Sequence, residues 1–145
     1  AFDTRATLAL IEMLLFLATC VVLVIGLFGF IGIVMLQAAL HPDMESGRII
    51  LGGLMLFFAA ISNSTGKIRR NFWMGVRTPW TLASERVWIA THRMAARLWF
   101  LTSIGATLAI LIGLPMMPIL VVFFMSLFVP VIYSFVLYKR MYPGK

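Results

Sequence analysis

The sequence predicts an all-α polytopic membrane protein, a bundle of four transmembrane helices with a cytoplasmic amphipathic segment. The first observation is composition: 62% of the residues are hydrophobic and 12% are charged, which lies outside the range of soluble globular domains. The second is that the chain divides into apolar runs that can cross a bilayer, which takes about 20 residues each. Since the chain has 145 residues, we expect one membrane domain over residues 1–145 and no separate soluble module.

Four segments are the predicted helices, approximately residues 8–40, 49–65, 84–112 and 119–140. The first exceeds one bilayer thickness, so it must tilt, bend or begin as an interfacial turn. The second is short in its apolar part and borrows the small polar residues from Ser62 to Thr65. Gly113, Pro115 and Pro118 separate the third helix from the fourth, and Pro130 predicts a kink inside the fourth.

Two features of the first helix leave alternatives open. Gly26, Gly29 and Gly32 recur every three residues, which predicts close approach of another helix, either within the chain or in a dimer. Glu12 is either an interfacial carboxylate or a buried one that pairs with an arginine, because ionisable groups inside membranes seek partners.

The stretch from Asn71 to Trp99 gathers arginines and tryptophans between otherwise apolar segments. Pro79 fixes one φ and favours an extended conformation at the preceding residue, so we predict a shaped loop over residues 75–82. Ser84 is the predicted N-cap of the helix that follows. Side chains at spacings of three and four then share one helix face, namely Glu85, Trp88, His92, Ala95 and Trp99.

Basic residues indicate the orientation of the chain. Arg48 lies in the loop between the first two helices, while the other eleven lysines and arginines lie at the termini or between residues 67 and 97. The positive-inside rule therefore places both termini and the central stretch in the cytoplasm. In this orientation an aromatic belt forms at the inner leaflet from Trp73, Trp80, Trp88 and Trp99 with Tyr138 and Tyr142.

Several arginines of the central stretch are candidates for binding an anionic group. Positive charge near the inner leaflet is stabilised by lipid headgroups, by the chain's own carboxylates or by an acidic surface of a partner. Arginine suits such contacts because its planar fork donates two parallel hydrogen bonds. The predicted partner- or lipid-binding residues are Arg77, Thr78, Pro79, Trp80, Glu85, Trp88, His92 and Arg93.

Enzyme and cofactor chemistry has little support in the sequence. There is no metalloprotease, P-loop or dinucleotide motif, and we predict a protein without catalytic residues, metal or cofactor. Glu85 and His92 lie two turns apart, about 10 Å along a helix, which is too far for direct contact. His41, Asp43 and Glu45 do not have a known metal-site spacing. Since the basic residues lie at the ends of apolar runs, we also predict no nucleic-acid binding.

The run G-V-R-T-P-W-T-L at residues 75–82, followed by S-E-x-V-W and T-H-R, resembles the signature of the SdpI family. The resemblance covers roughly residues 52–112, and the chain is expected to lack an additional N-terminal membrane region of the longer members. SdpI proteins are bacterial membrane proteins named for immunity to a secreted killing factor. The resemblance implies a place in the cytoplasmic membrane, immunity to a membrane-active peptide toxin and, as in the best-known member, capture of a cytoplasmic regulator.

Two hypotheses from different classes follow. The first is a non-enzymatic immunity and signalling protein that binds a peptide toxin or a cytoplasmic regulator. The second is an accessory or structural subunit of a larger membrane complex, or a bundle that binds anionic lipid headgroups. Homo-oligomerisation is compatible with either hypothesis.

Overall fold

The computed structural model describes residues 4–68, 70 and 75–143, except for the side chains of residues 4–6, 9 and 12. These residues form five helices and no strand: α1 (Thr4–Leu40), α2 (Ser46–Thr65), α3 (Pro79–Ala83), α4 (Glu85–Leu111) and α5 (Met116–Met141). Within the described ranges, α1, α2, α4 and α5 are long and apolar enough to cross a membrane. The predicted all-α membrane fold is therefore confirmed. Arg69 and Trp73, which entered the charge and aromatic predictions, lie outside the described residues, as does the Glu12 side chain.

The long helices begin and end within a few residues of the predicted bounds, and one short helix was not predicted. Residues 79–82 form most of α3, where we expected a loop. Pro79 occupies the first turn of α3, where its missing N–H costs no hydrogen bond and its fixed φ suits a helix. The same proline that favours an extended Thr78 (φ −111°, ψ 157°) therefore also starts a helix.

The chain forms two compact units, Ala1–Gly53 and Leu54–Lys145. The first unit contains α1 and the beginning of α2. At 37 residues α1 is about 55 Å long, well beyond the about 30 Å of a hydrocarbon core. Gly53 lies against the ring of Phe30, where a larger side chain would overlap it. A Cβ added at Gly26, Gly29 or Gly32 would meet no described atom within 4 Å.

The second unit is organised by the antiparallel pair α4 and α5. Near its middle, the Trp99 indole N–H donates to the Ser126 carbonyl over 3.1 Å. The remaining part of α2 packs onto this pair, with the rings of Phe58 and Phe123 5.1 Å apart. The end of α2 approaches α4 closely, since a Cβ at Gly66 would lie 3.2 Å from the Ala96 Cβ. The core of this unit therefore contains side chains from three helices.

Candidate functional site

We call the segment of residues 75–84 the cap. It begins at Gly75, a position that only a residue without a side chain can occupy. Gly75 has φ +103°, in the region that disfavours other residues. An added Cβ at Gly75 would overlap the Nε2 atom of His92. The close approach lets the buried Val76 N–H donate to that same nitrogen over 3.0 Å. Gly75 thus allows the start of the cap to be bonded directly to α4.

Two threonines close the middle of the cap by a reciprocal capping box. The Thr78 N–H donates to the Thr81 hydroxyl oxygen over 2.9 Å, and the Thr81 N–H donates to the Thr78 hydroxyl oxygen over 3.3 Å. The Thr81 hydroxyl donates in turn to the Val76 carbonyl over 2.9 Å. Thr81 is fully buried, so each of these bonds satisfies a group that water does not reach.

The cap is bonded to α5 at two positions. The Trp80 indole N–H donates to the Ser134 hydroxyl oxygen over 2.6 Å, and its ring packs edge-on against Phe135 with centroids 5.1 Å apart. Ser84 lies 3.2 Å from the Tyr142 hydroxyl, within hydrogen-bonding distance. Ser84 is also the N-cap of α4, as predicted, and accepts from the Val87 N–H. The cap therefore joins the beginning of α4 to the end of α5.

A stacked aromatic pair forms the base of the cap. The rings of Trp88 and His92 are 4.1 Å apart and nearly parallel, and both side chains are fully buried. The Trp88 indole N–H donates to the Ile68 carbonyl over 3.0 Å. Because His92 Nε2 accepts from Val76, the proton lies on Nδ1, which donates to the Trp88 carbonyl over 2.9 Å. Both ring nitrogens of His92 are engaged within the protein.

The burial of Trp88 corrects the aromatic-belt prediction at this position. We predicted Trp88 as an interfacial side chain, yet its exposed fraction is 0%. The helical face was predicted correctly for Trp88, His92 and Ala95, all of which are fully buried. Glu85 belongs to the same stripe but is exposed, because it lies in the first turn of α4. A carboxylate is favourable there beside the unpaired N–H groups of the helix start.

The predicted binding residues divide into two groups in the structure. Thr78, Trp88 and His92 are buried and Trp80 is half-buried, and all four are hydrogen-bonded within the protein. The remaining predicted residues are exposed, namely Arg77, Pro79, Glu85 and Arg93. The surface that can touch a ligand or partner therefore belongs to this second group.

Two further exposed arginines, Arg86 and Arg97, lie on α4. Across the described part of the chain, no hydrogen bond or ion pair engages the guanidinium of Arg77, Arg86, Arg93 or Arg97. Arg70 differs, since it donates to the Leu82 carbonyl over 3.3 Å and so helps to hold α3. The same described residues contain no cluster of three metal-ligating side chains.

The contribution of three residues to the cap was not predicted from the sequence. Ser134 and Tyr142 lie 54 and 58 residues from their partners Trp80 and Ser84, and no local pattern relates them. Gly75 stands at the start of the quoted motif, so its special backbone conformation was open to prediction.

Four candidate membrane-spanning helices, with a hydrogen-bonded cap between α2 and α4, define a polytopic α-helical membrane protein. The model of the SdpI/YfhL protein family matches residues 67–136, which include the cap, α4 and most of α5. This region of the chain is similar to that family, which supports the resemblance that the GVRTPWTL motif predicted. No curated protein and no solved structure matches the chain.

Proposed function

We propose that the protein is a non-enzymatic, immunity-type protein of the bacterial cytoplasmic membrane whose cap binds an acidic segment of a cytoplasmic regulator. The observation that supports this most strongly is the division of the family motif into buried and exposed residues. Its polar side chains hold the cap together, whereas Arg77 remains exposed on the surface. The family match supports the immunity role at the level of the family.

Catalysis by the motif would require side chains that the fold already uses. His92, the one histidine of the motif, has an internal partner at each ring nitrogen. The hydroxyls of Thr78 and Thr81 complete the capping box, and Ser134 accepts from Trp80. A general base must be free to reach a substrate proton. We therefore propose that the motif is a scaffold for binding and not a reactive centre.

Charge favours an acidic partner for the exposed surface. Residues 54–145 contain ten lysines and arginines and a single acidic residue, Glu85. An arginine that is exposed and unpaired keeps its full capacity for bidentate contact with a carboxylate. Arg77 lies between two buried residues of the cap, Val76 and Thr78, so its backbone is fixed while its side chain is exposed. Such an arrangement lowers the entropy lost on binding.

The test is affinity purification of the full-length tagged protein from native membranes, followed by mass spectrometry. Wild type is compared with Arg77→Gln and with the control Arg48→Gln. The control removes the same charge from the first turn of α2, on the side of the membrane that we predict to be opposite to the cap. We expect a regulator that co-purifies with wild type and with Arg48→Gln but is depleted with Arg77→Gln.

Equal recovery of the same proteins with wild type and with both variants would contradict binding through the cap. Retention of a peptide toxin irrespective of Arg77 would place the immunity function elsewhere on the protein. Co-purification of a larger complex in fixed stoichiometry would instead favour the accessory-subunit hypothesis. Arg77 is exposed, and Arg48 pairs with the exposed Glu45, so unfolding in detergent should be similar for wild type and both variants. This measurement verifies that the variants are folded.

A further inference from the structure

A groove on the second unit combines cationic, hydroxyl and apolar side chains. It has a volume of about 430 Å³ and lies between α4 and α5, lined by Ala90, Arg93, Met94, Arg97, Leu98 and Tyr133. Arg93 and Arg97 are one helical turn apart and therefore lie on the same side of α4. Tyr133 adds an exposed phenol from α5. Met94 and Leu98 supply apolar surface beside these three polar groups.

The position of the groove along the helices gives its depth in the membrane. No charged residue occurs between Arg97 and Lys139, so the apolar hairpin of α4 and α5 begins at Arg97. From Arg97 to the end of α4 at Leu111 the helix rises about 21 Å, whereas a hydrocarbon core is about 30 Å thick. With the α4–α5 turn at the far boundary, Arg97 lies about 9 Å inside the near boundary and Arg93 about 3 Å inside it.

Tyr133 reaches the same level from the other helix. Seventeen residues separate it from Met116 at the start of α5, a rise of about 25 Å, which places it about 5 Å inside the near boundary. The backbone positions of these three residues therefore lie about 3–9 Å inside the near boundary, from which side chains as long as arginine and tyrosine reach the phospholipid headgroups. The apolar part of the groove lies at the same depth.

No carboxylate of the second unit can neutralise these arginines. Its one acidic residue, Glu85, is eight residues from Arg93 and twelve from Arg97, about 12 and 18 Å along the helix axis. Within the described residues neither guanidinium has a hydrogen-bond or ion-pair partner, and the Tyr133 hydroxyl makes no hydrogen bond. A cation at this depth is costly unless an anion pairs with it. The second unit itself therefore supplies no anion for these two arginines.

We propose that this groove binds the phosphate group of an anionic phospholipid. The two guanidinium groups and the Tyr133 hydroxyl donate to the phosphate oxygens, and Met94 and Leu98 pack against the adjoining glycerol and acyl chain. The proposal is independent of the regulator-binding function, which depends on Arg77, so either can fail without the other.

The experiment uses the full-length protein in detergent and native mass spectrometry with added phosphatidylglycerol, phosphatidylcholine or inorganic phosphate. The groove variant Arg93→Gln/Arg97→Gln is compared with Arg86→Gln/Arg140→Gln, which removes the same charge from exposed positions outside the groove. We expect the groove variant to bind phosphatidylglycerol about tenfold or more weakly than wild type, because both charged hydrogen-bond donors to the phosphate are lost. The control variant should bind as wild type does.

Further measurements distinguish a lipid phosphate from free phosphate and test the side chains that contribute to binding. Wild type should bind phosphatidylcholine more weakly than phosphatidylglycerol, and millimolar inorganic phosphate should not displace the lipid. Tyr133→Phe should weaken lipid binding by a factor of about 3 to 10, the effect of one hydrogen bond. Arg93→Lys/Arg97→Lys keeps the charge and should show an intermediate loss.

Equal phosphatidylglycerol affinity of the two double variants would overturn the proposal, since binding would then follow net charge and not the groove. Displacement of the lipid by inorganic phosphate would also overturn it, because the site would then be a phosphate site without lipid specificity. The unfolding transitions of the two double variants should coincide. If the groove variant alone does not fold, the lysine pair and Tyr133→Phe provide the same comparison.

Discussion

Replacing Gly75 by alanine tests the origin of the cap's rigidity. At φ +103° alanine incurs about 1–3 kcal/mol of backbone strain. Its Cβ would also overlap His92 Nε2. That ring cannot move away freely, since Nδ1 donates to the Trp88 carbonyl and the ring stacks on Trp88 at 4.1 Å. Displacing it leaves the buried Val76 N–H without an acceptor, which costs about a further 1–3 kcal/mol.

The sum, about 2–6 kcal/mol of unfolding free energy, raises the unfolding equilibrium constant by a factor of about 30 or more. The assay is reversible unfolding in mixed micelles with increasing SDS, followed by tryptophan fluorescence, to which the buried Trp88 contributes. Gly105→Ala is the matched control, because Gly105 is helical and an added Cβ there meets nothing within 4 Å. We expect that control to be as stable as wild type or slightly more stable.

A double-mutant cycle isolates the contact with His92. In a His92→Ala background, the Cβ that Gly75→Ala adds has no ring to overlap and the Val76 N–H has already lost its acceptor. Gly75→Ala should therefore lower the unfolding free energy by less than it does in wild type, and the difference is the share due to the lost Val76 bond. If Gly75→Ala unfolds like Gly105→Ala, or if its cost is unchanged without the histidine, the structural explanation of this glycine is wrong.

Two other predictions concern the capping box and the orientation. Thr81→Val keeps the side-chain shape but removes the hydroxyl that accepts from the Thr78 N–H and donates to the Val76 carbonyl, so it should destabilise the protein by about 1–3 kcal/mol. Thr81→Ser keeps the hydroxyl and should be close to wild type in the same SDS titration. Equal stability of the two variants would contradict the role of the hydroxyl. In a Cys20→Ser background, a single cysteine introduced as Glu85→Cys should resist a membrane-impermeant maleimide added outside intact cells, and labelling from outside would overturn the predicted orientation.

Local patterns in the sequence were sufficient for most helices and for one face of α4. The spacing of three and four brought Trp88, His92 and Ala95 to one buried face, and Ser84 was recognisable as an N-cap because its side chain acts on the adjacent turn. These interactions span one or two helical turns, so they depend only on residues that are close in sequence.

The contacts that close the cap could not be predicted in the same way. Trp80 finds Ser134 across 54 residues, and that pairing depends on the level at which α5 packs against α4. His92 was correctly placed on the buried face of α4, yet its bond to the Val76 N–H depends on the positive φ of Gly75, seventeen residues before it. Pro79 was assigned to a loop because the extended conformation of the preceding residue was considered, and its equally strong preference for a first helical turn was not.

The central claim is that the GVRTPWTL motif forms a rigid, internally bonded cap that presents the exposed Arg77. Amide hydrogen exchange measures this rigidity directly. The bonded amides of the cap include those of Val76, Thr78, Thr81 and Leu82. For the full-length protein in lipid nanodiscs, exchange followed by mass spectrometry of peptides covering residues 75–84 should show these amides protected to a degree similar to the start of α4. Exchange of the same peptides at the rate of an unprotected chain would contradict the claim, because the motif would then be a flexible segment and its buried hydrogen bonds would not persist in the membrane.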